Sequence, residues 1–328
     1  MPMVDPFTPD AFKLLTLTAI INNLDYEPMR LGELGLFEEQ GITTLDAVIE
    51  EDNGVLALVD VAPRGAPGKV ITGSKRKVYS FRVPHLPERA SIMADESQSA
   101  RTLGTGNGAE LVRNRIEDRL KAMRRNIDYT IEAHRMAALQ GNFYDVNGTL
   151  KSLFTEFGVT QTTVTMTLSS ATTKVRQVVL DILKSMEDGL AGTPFTTPRA
   201  LCSDGFWRAF IEHDAVKAAF DRYEQGANLR QDPRAGFEYA GVIWERYRGN
   251  TQVAVPANEA IVVPDGVPGL FITRFAPADY NETVNTVGLP YYAKGERIRF
   301  DKGWDIEVQS NPINLCTRPA SLIRVVAA

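Results

Sequence analysis

Between Val112 and Ile131 the apolar residues Val112, Ile116, Leu120, Met123, Ile127 and Ile131 recur at intervals of 4, 4, 3, 4 and 4. That spacing holds one stripe on one side of a 3.6-residue helix. It predicts a helix from Ala109 to Leu139, stopped by Gly141, roughly 45 Å long and so long for a globular domain. Any fold for this chain has to be arranged along that rod. Its other faces carry Arg113, Arg115, Arg119, Lys121, Arg124, Arg125 and Arg135 against Glu110, Glu117, Asp118, Asp128 and Glu132. They read either as a solvated face laced with ion pairs or as a spine against which other copies or a polyanion rest. The glycines Gly104, Gly106 and Gly108 lack the Lys-Ser/Thr of a nucleotide loop and read as a joint before the helix.

Upstream, charge divides the chain. Residues 1–53 hold eleven acidic residues against Lys13 and Arg30, a net of -9, whereas 63–89 hold seven basic residues against Glu88, a net of +6. The total of 36 Lys and Arg against 41 Asp and Glu, net -5, argues against a protein that coats DNA with an excess of positive charge. The split instead concerns what touches what, within one chain or between copies. Short apolar patches interrupted by Pro2, Pro6, Pro9 and Pro28 leave no long amphipathic element before Leu31. The first 40 residues read as an arm that lies on its own body or on a neighbour. Thr44–Ile49 and Val55–Val59 read as strands around a turn at Glu51-Asp52-Asn53-Gly54, and the stretch from Pro63 to Pro87, with Lys77–Val83 alternating, as a long basic hairpin.

Beyond the helix, Asn147-Gly148 marks a hairpin between Phe143 and Phe154, and Thr160–Leu168 a strand. Helices are expected through Val175–Met186 and Phe206–Phe220, the second capped by Ser203 and broken near Asp214. Strands are expected at Phe237–Tyr247, Gln252–Val255, Glu259–Val263, Leu270–Phe275, Arg297–Phe300, Asp305–Val308 and Ser321–Val326. The class is α+β. No constellation asks for catalysis. His85, His134 and His213 have no metal-ligand spacing, Cys202 and Cys316 read as buried thiols, and Glu50-Glu51-Asp52 is a turn that offers at most a weak cation site. Neither an enzyme nor a cofactor is expected. The start lacks a secretory signal and no apolar run reaches bilayer length, so a cytoplasmically made, soluble chain with no membrane partner is expected.

An arm, a basic hairpin, a spine helix and a discontinuous body follow one another in the order of the Hong Kong 97 type fold. The C-terminal quarter is more specific. Phe237–Val242, Phe275-Ala276-Pro277-Ala278-Asp279, Asn285–Lys294 and Glu307-Val308-Gln309-Ser310-Asn311-Pro312 resemble the lambda-type major head protein family, called capsid protein E. The resemblance covers the chain in order, though the N-terminal third only in architecture. It implies an N-terminal arm at 1–42 and an extended loop at 62–90. It implies a peripheral domain at 43–61, 91–195 and 296–328 with a spine helix at 109–140, and an axial domain at 196–295.

It further implies a shell subunit forming hexamers and pentamers on an icosahedral lattice, with a scaffold, a portal and packaged double-stranded DNA as partners and a decoration protein left open, assembled in the bacterial cytoplasm and carried in the virion. Arm and loop would reach neighbouring subunits, which makes Phe12, Leu15, Glu38, Glu39, Arg64, Lys69, Lys75, Arg76, Lys77 and Arg82 the candidate intersubunit contacts. The +6 loop is expected to lie across the -9 arm region of a neighbour. Some such folds cross-link through a loop lysine; Lys69, Lys75 and Lys77 are placed for it, but no matching motif accompanies them and lambda-type relatives are not expected to do so. An encapsulin-like compartment shell and a nucleic-acid-binding protein using Arg113–Arg125 stay open as alternatives.

Overall fold

The computed structural model describes residues 12–24, 29–52, 76–95, 108–225, 236–250 and 252–328. The N-terminal part runs α1 (Leu14–Asn23), α2 (Arg30–Leu34), β1 (Glu38–Gly41), β2 (Asp46–Asp52), β3 (Arg76–Arg82) and β4 (Leu86–Met93). The long helix α3 (Gly108–Leu139) leads to β5 (Asn142–Tyr144), β6 (Leu150–Ser152), α4 (Leu153–Phe157), β7 (Thr162–Met166), α5 (Val175–Gly189), β8 (Arg199–Cys202), α6 (Asp204–Glu212) and α7 (Asp214–Gln225). The remainder is strand: β9 (Phe237–Tyr239), β10 (Val242–Arg246), β11 (Glu259–Val263), β12 (Phe271–Phe275), β13 (Tyr292–Arg297), β14 (Gly303–Ser310), β15 (Pro312–Cys316) and β16 (Ile323–Ala327).

The apolar spacing that predicts α3 also explains its place, because the stripe bridges two cores. Ile116, Leu120, Met123, Ile127 and Ile131 are buried in a satellite core with Phe12, Leu17, Ile21, Ile92, Trp304 and Ile306. One turn further on, Met136, Ala138 and Leu139 enter the main core. No helix among the described residues is long and apolar enough to cross a membrane.

The main core lies against a six-stranded sheet of order β7-β16-β11-β8-β10-β9. Its centre is β8 and β11, and β11 is buried along its whole length, which is why Glu259–Val263 reads as an apolar run. Trp244 on β10 stacks on Phe210 at 4.4 Å and Phe206 at 6.0 Å, fixing α6 to the sheet. One sheet thus draws strands from segments assigned by sequence to the peripheral domain (β7, β16) and to the axial domain (β8 to β11). Two three-stranded sheets, β1-β12-β15 and β13-β14-β4, flank α3.

The Ser203 cap is present: its hydroxyl accepts from the Phe206 N–H at 3.4 Å and from the Glu259 N–H at 3.1 Å, and the segment breaks at His213 between α6 and α7. Ser203→Ala strands the Phe206 N–H, while the Glu259 N–H keeps the Pro256 carbonyl at 3.1 Å, and is expected to cost about 1 kcal/mol, read as a lower urea midpoint with unchanged slope.

Several expectations fail for physical reasons. Glu51 and Asp52 do not turn; they continue β2, opposite Lys77 and Arg76 of β3, because cross-strand pairing with a distant basic strand overrides the local turn signal. The long hairpin is therefore β2 with β3, and Val55–Val59 lies outside the described residues. Gln252–Val255 is not a strand. The strand expected at Arg297–Phe300 ends at Arg297 and gives way to a 3-10 turn at Arg299–Asp301, with Phe300 left-handed at φ 67. Of the stretch read as an arm, α1 is a ten-residue helix lying on the chain's own satellite core, and Glu38–Gly41 is a strand paired in parallel with β12.

Candidate assembly surfaces and the joint that carries them

Three of the four C-terminal segments that carry the resemblance, 275–279, 285–294 and 307–312, converge on one joint beside α3. Where β12 ends, the Ala276 N–H donates to the Asn311 carbonyl at 2.9 Å. The buried Asn311 amide donates to the Pro277 carbonyl at 2.9 Å, and the Asp279 N–H donates to the Gln309 side chain at 3.1 Å. Ser310 donates its hydroxyl to the Pro290 carbonyl at 2.6 Å, and the Leu289 N–H donates to the Tyr292 hydroxyl at 2.9 Å. His85 joins through Nδ1, 2.8 Å from Asn311 Oδ1. A buried amide has to find partners, and Asn311 finds Pro277 and His85 in other segments and Gln309 at 3.5 Å in its own. Gly288 and Gly41 let the backbones touch: a Cβ on Gly288 would stand 2.0 Å from the Phe275 oxygen, and one on Gly41 2.1 Å from the Gly288 oxygen.

The joint is tied to α3 by a stripe of charged residues. Arg124, Asp128 and Glu132 are spaced four apart and share one face. Tyr291 donates its hydroxyl to the Asp128 carboxylate, and the Arg124 guanidinium lies over the Tyr291 ring at 4.9 Å. Glu132 accepts from the Leu31 N–H at 2.8 Å and from the Tyr247 hydroxyl at 3.1 Å. Burial raises both carboxyl pKa values above the ordinary range, against the pull of these donors. A cavity of about 250 Å³ beside them is lined by Asn22, Glu39, Arg124, Asp128, Glu132 and Arg135 among others. Its charges are of both signs, which suits a self-neutralised joint better than a ligand of one charge.

A carboxyl whose pKa rises on folding holds its proton to higher pH in the folded chain than in the unfolded one. Stability therefore falls as pH rises from the ordinary value of 4.5 through the raised folded value of Glu132. Glu132→Gln keeps the acceptor oxygen and removes this titration. Its denaturant midpoint is expected to change less than the wild type's as pH rises from about 4.5.

The candidate contacts separate in the structure. Phe12 is buried and stacked on Trp304 of its own chain, ring centroids 4.1 Å apart and 7° from parallel. Leu15, by contrast, is 83% exposed. Glu38 pairs with Arg274 at 3.2 Å, Glu39 with the buried Arg135, and Arg82 with Asp46 at 3.1 Å. Arg76 and Lys77 are the backbone partners of Asp52 and Glu51. Within the described residues, then, acidic and basic segments meet inside one chain. Arg64, Lys69 and Lys75 lie outside the described residues.

Sequence reasoning missed the apolar surface. On the outward face of the β2–β3 ribbon Val48 is 57% and Val78 62% exposed, and the ladder places Val48 opposite Ser80 and Val78 opposite Glu50. Phe300, at the tip between β13 and β14, is 89% exposed. The signal was the alternation of Lys77–Val83, legible only with its partner strand. The thiols and imidazoles have structural places. Cys202 and Cys316 are buried, which pushes Cys316 up to about 12. Burial lowers His134 to about 4 beneath the Tyr144 ring, and His213 Nδ1 accepts from the Ala215 N–H at 3.2 Å at the start of α7.

Comparison with known proteins adds relatives to this geometry. A family model described as phage major capsid protein E matches residues 13–327. A protein named major capsid protein, from Pseudomonas phage KPP10, is 29% identical over 355 residues, covering 95% of this chain and 99% of that one. The crystal structure of a candidate prophage capsid protein from E. coli CFT073 superposes with a TM-score of 0.58 at 13% identity, covering 96% of this chain and 99% of that one. The capsid of cyanophage P-SCSP1u gives 0.53 at 10% identity, covering 93% and 90%. These solved structures share the fold.

Proposed function

The chain belongs to the phage major capsid protein E family, and from that premise we propose that copies of it close into hexamers and pentamers of an icosahedral head around packaged double-stranded DNA. The observation that carries the reading is the match over residues 13–327, which spans arm, spine and both cores rather than a grafted module. The protein is a structural subunit of the phage capsid. Assembly in the host cytoplasm on a scaffold, around a portal, belongs to the proposal.

The physics of the surface supports it. Obligate interfaces bury on the order of 2,000 Å² or more and are richer in apolar groups than transient ones, and the outward valines of the ribbon, Leu15 and Phe300 supply such groups. The ribbon of β2 and β3, rather than 62–90 alone, is proposed as the extended loop. Weak contacts suffice where a lattice makes many at once.

A net charge of -5 fits a shell that encloses DNA without gripping it. The exposed face of α3, with Arg119, Lys121 and Arg125, favours a second reading, a nucleic-acid-binding chain. One experiment separates the two. Negative-stain microscopy of the chain expressed alone and with a candidate scaffold is expected to show closed particles. Particles absent under every condition, with monomer binding DNA in a steeply salt-dependent manner, would replace the shell with the second reading. Particles holding an enzyme in place of DNA would indicate a compartment shell.

A further inference from the structure

The two helices of the N-terminal segment cannot stand alone. α1 has ten residues, no side-chain N-cap at Lys13 and no basic residue in its last turn, and α2 has five residues and no side-chain cap at Met29. Helices this short are marginal in water, so something else holds each. α3 supplies it from one face. Arg124 donates to the Ile21 and Leu24 carbonyls at 2.7 and 2.8 Å, closing the end of α1, and Glu132, eight residues on, accepts the Leu31 N–H at the start of α2.

The two ends are held unequally. α2 is pinned to the main body: Leu31 is fully buried in the main core, and Arg30 pairs with the buried Glu245, which also takes Arg199 at 3.0 Å. α1 packs on the satellite side and, through Leu14, on a small cluster with Ala278 and Tyr292. Phe12, Leu17 and Ile21 cover that core, Thr18 accepts the Ala293 N–H at 3.1 Å, and Asn22 donates to the Tyr291 carbonyl at 2.9 Å. Once the carbonyls at the end of α1 lose Arg124, a helix with no cap of its own has little reason to keep its turns.

We infer that residues 12–24 form a latch, closed by Arg124, that lifts from α3 as one unit while α2 stays pinned. Lifting uncovers the apolar stripe of Ile116, Leu120 and Met123 with Trp304, leaving the six-stranded sheet folded. Local opening of this kind draws on the least supported elements of a fold. The latch gives one sequence two states of its outer end, and its use in assembly rests on the shell reading.

Hydrogen exchange of the full chain, kept dilute enough to stay unassembled, tests it. Arg124→Ala is expected to speed exchange in 14–23 about tenfold or more, as loss of a helix-end partner should, while 30–34 and strands β8, β10 and β11 keep wild-type protection. Glu132→Ala should loosen 30–34 as well, and Glu132→Gln should not. Unchanged exchange in 14–23, or protection lost together with the central strands, would overturn the latch. Should Arg124→Ala not stay soluble, the wild type in rising urea still decides: 14–23 should open below the denaturant that opens 199–202, and coincident opening counts against it. None of these readings depends on particles forming, so the shell reading stands or falls separately under the microscope.

Discussion

Gly288→Ala is expected to leave little soluble, folded protein, with a loss of at least about 3 kcal/mol and a sharply lower thermal midpoint in whatever material survives. The cause is space. The added Cβ would meet the Phe275 oxygen at 2.0 Å, the Phe275 carbonyl carbon at 2.6 Å and the Ala276 carbonyl carbon at 2.8 Å. All three are backbone atoms, so no side chain can swing away. To relieve them the 285–294 segment must leave the end of β12, and it then gives up the Gly288 N–H to Ile42 carbonyl bond at 2.9 Å and the seat of Tyr291 against Asp128. Gly41→Ala attacks the same contact from β1, at 2.1 Å from the Gly288 oxygen. The two losses should therefore fall short of their sum when combined, since a joint broken once has less left to lose. Val284→Ala, exposed on the same segment, is the control and should stay within about 0.5 kcal/mol of wild type. A Gly288→Ala chain with wild-type yield and midpoint would mean that the joint tolerates separation.

That joint also measures what the sequence discloses. Helix α3 and the Ser203 cap are local and were legible, because period and capping chemistry act within a few residues. The segments 275–279, 285–294 and 307–312 were legible only as marks of a family. Their physical content, a glycine against a carbonyl and buried amides answering one another, exists only once the chain has brought them together. β1 shows the limit most plainly. Glu-Glu-Gln-Gly contains no strand former, yet Glu38 to Gly41 pair with Ile272 to Phe275, since an edge partner needs backbone and little else. The like-signed stretches left open a contact within one chain or between copies, and among the described residues Asp46 and Arg82 meet within one ladder. Phe12 fits the same lesson, as an apolar residue near a terminus whose partner, Trp304, lies at the far end of the sequence.

Val48→Lys combined with Val78→Lys, which sets a lysine opposite Glu50 and another opposite Ser80, is expected to abolish particle formation, lowering yield about tenfold or more, while the monomer keeps its thermal midpoint. The monomer is spared because both side chains face outward, away from Ala47, Ile49 and Phe81, which hold the ribbon to the main core. The shell is not spared, because an ammonium group carried into an apolar contact must be stripped of water, and the penalty recurs at every equivalent contact of the lattice. Charge reversal at Lys75, Arg76 and Lys77, the obvious test of a basic loop, would be ambiguous here. It sets Glu opposite Glu51 and Asp52 in register, and like charges across a ladder loosen the ribbon itself. Ser80→Ala, on the same face between the valines, should assemble normally. Normal particles at full yield from the double lysine variant would show that this face points to solvent in the shell, and the contact between copies would then have to be sought at Leu15 or Phe300.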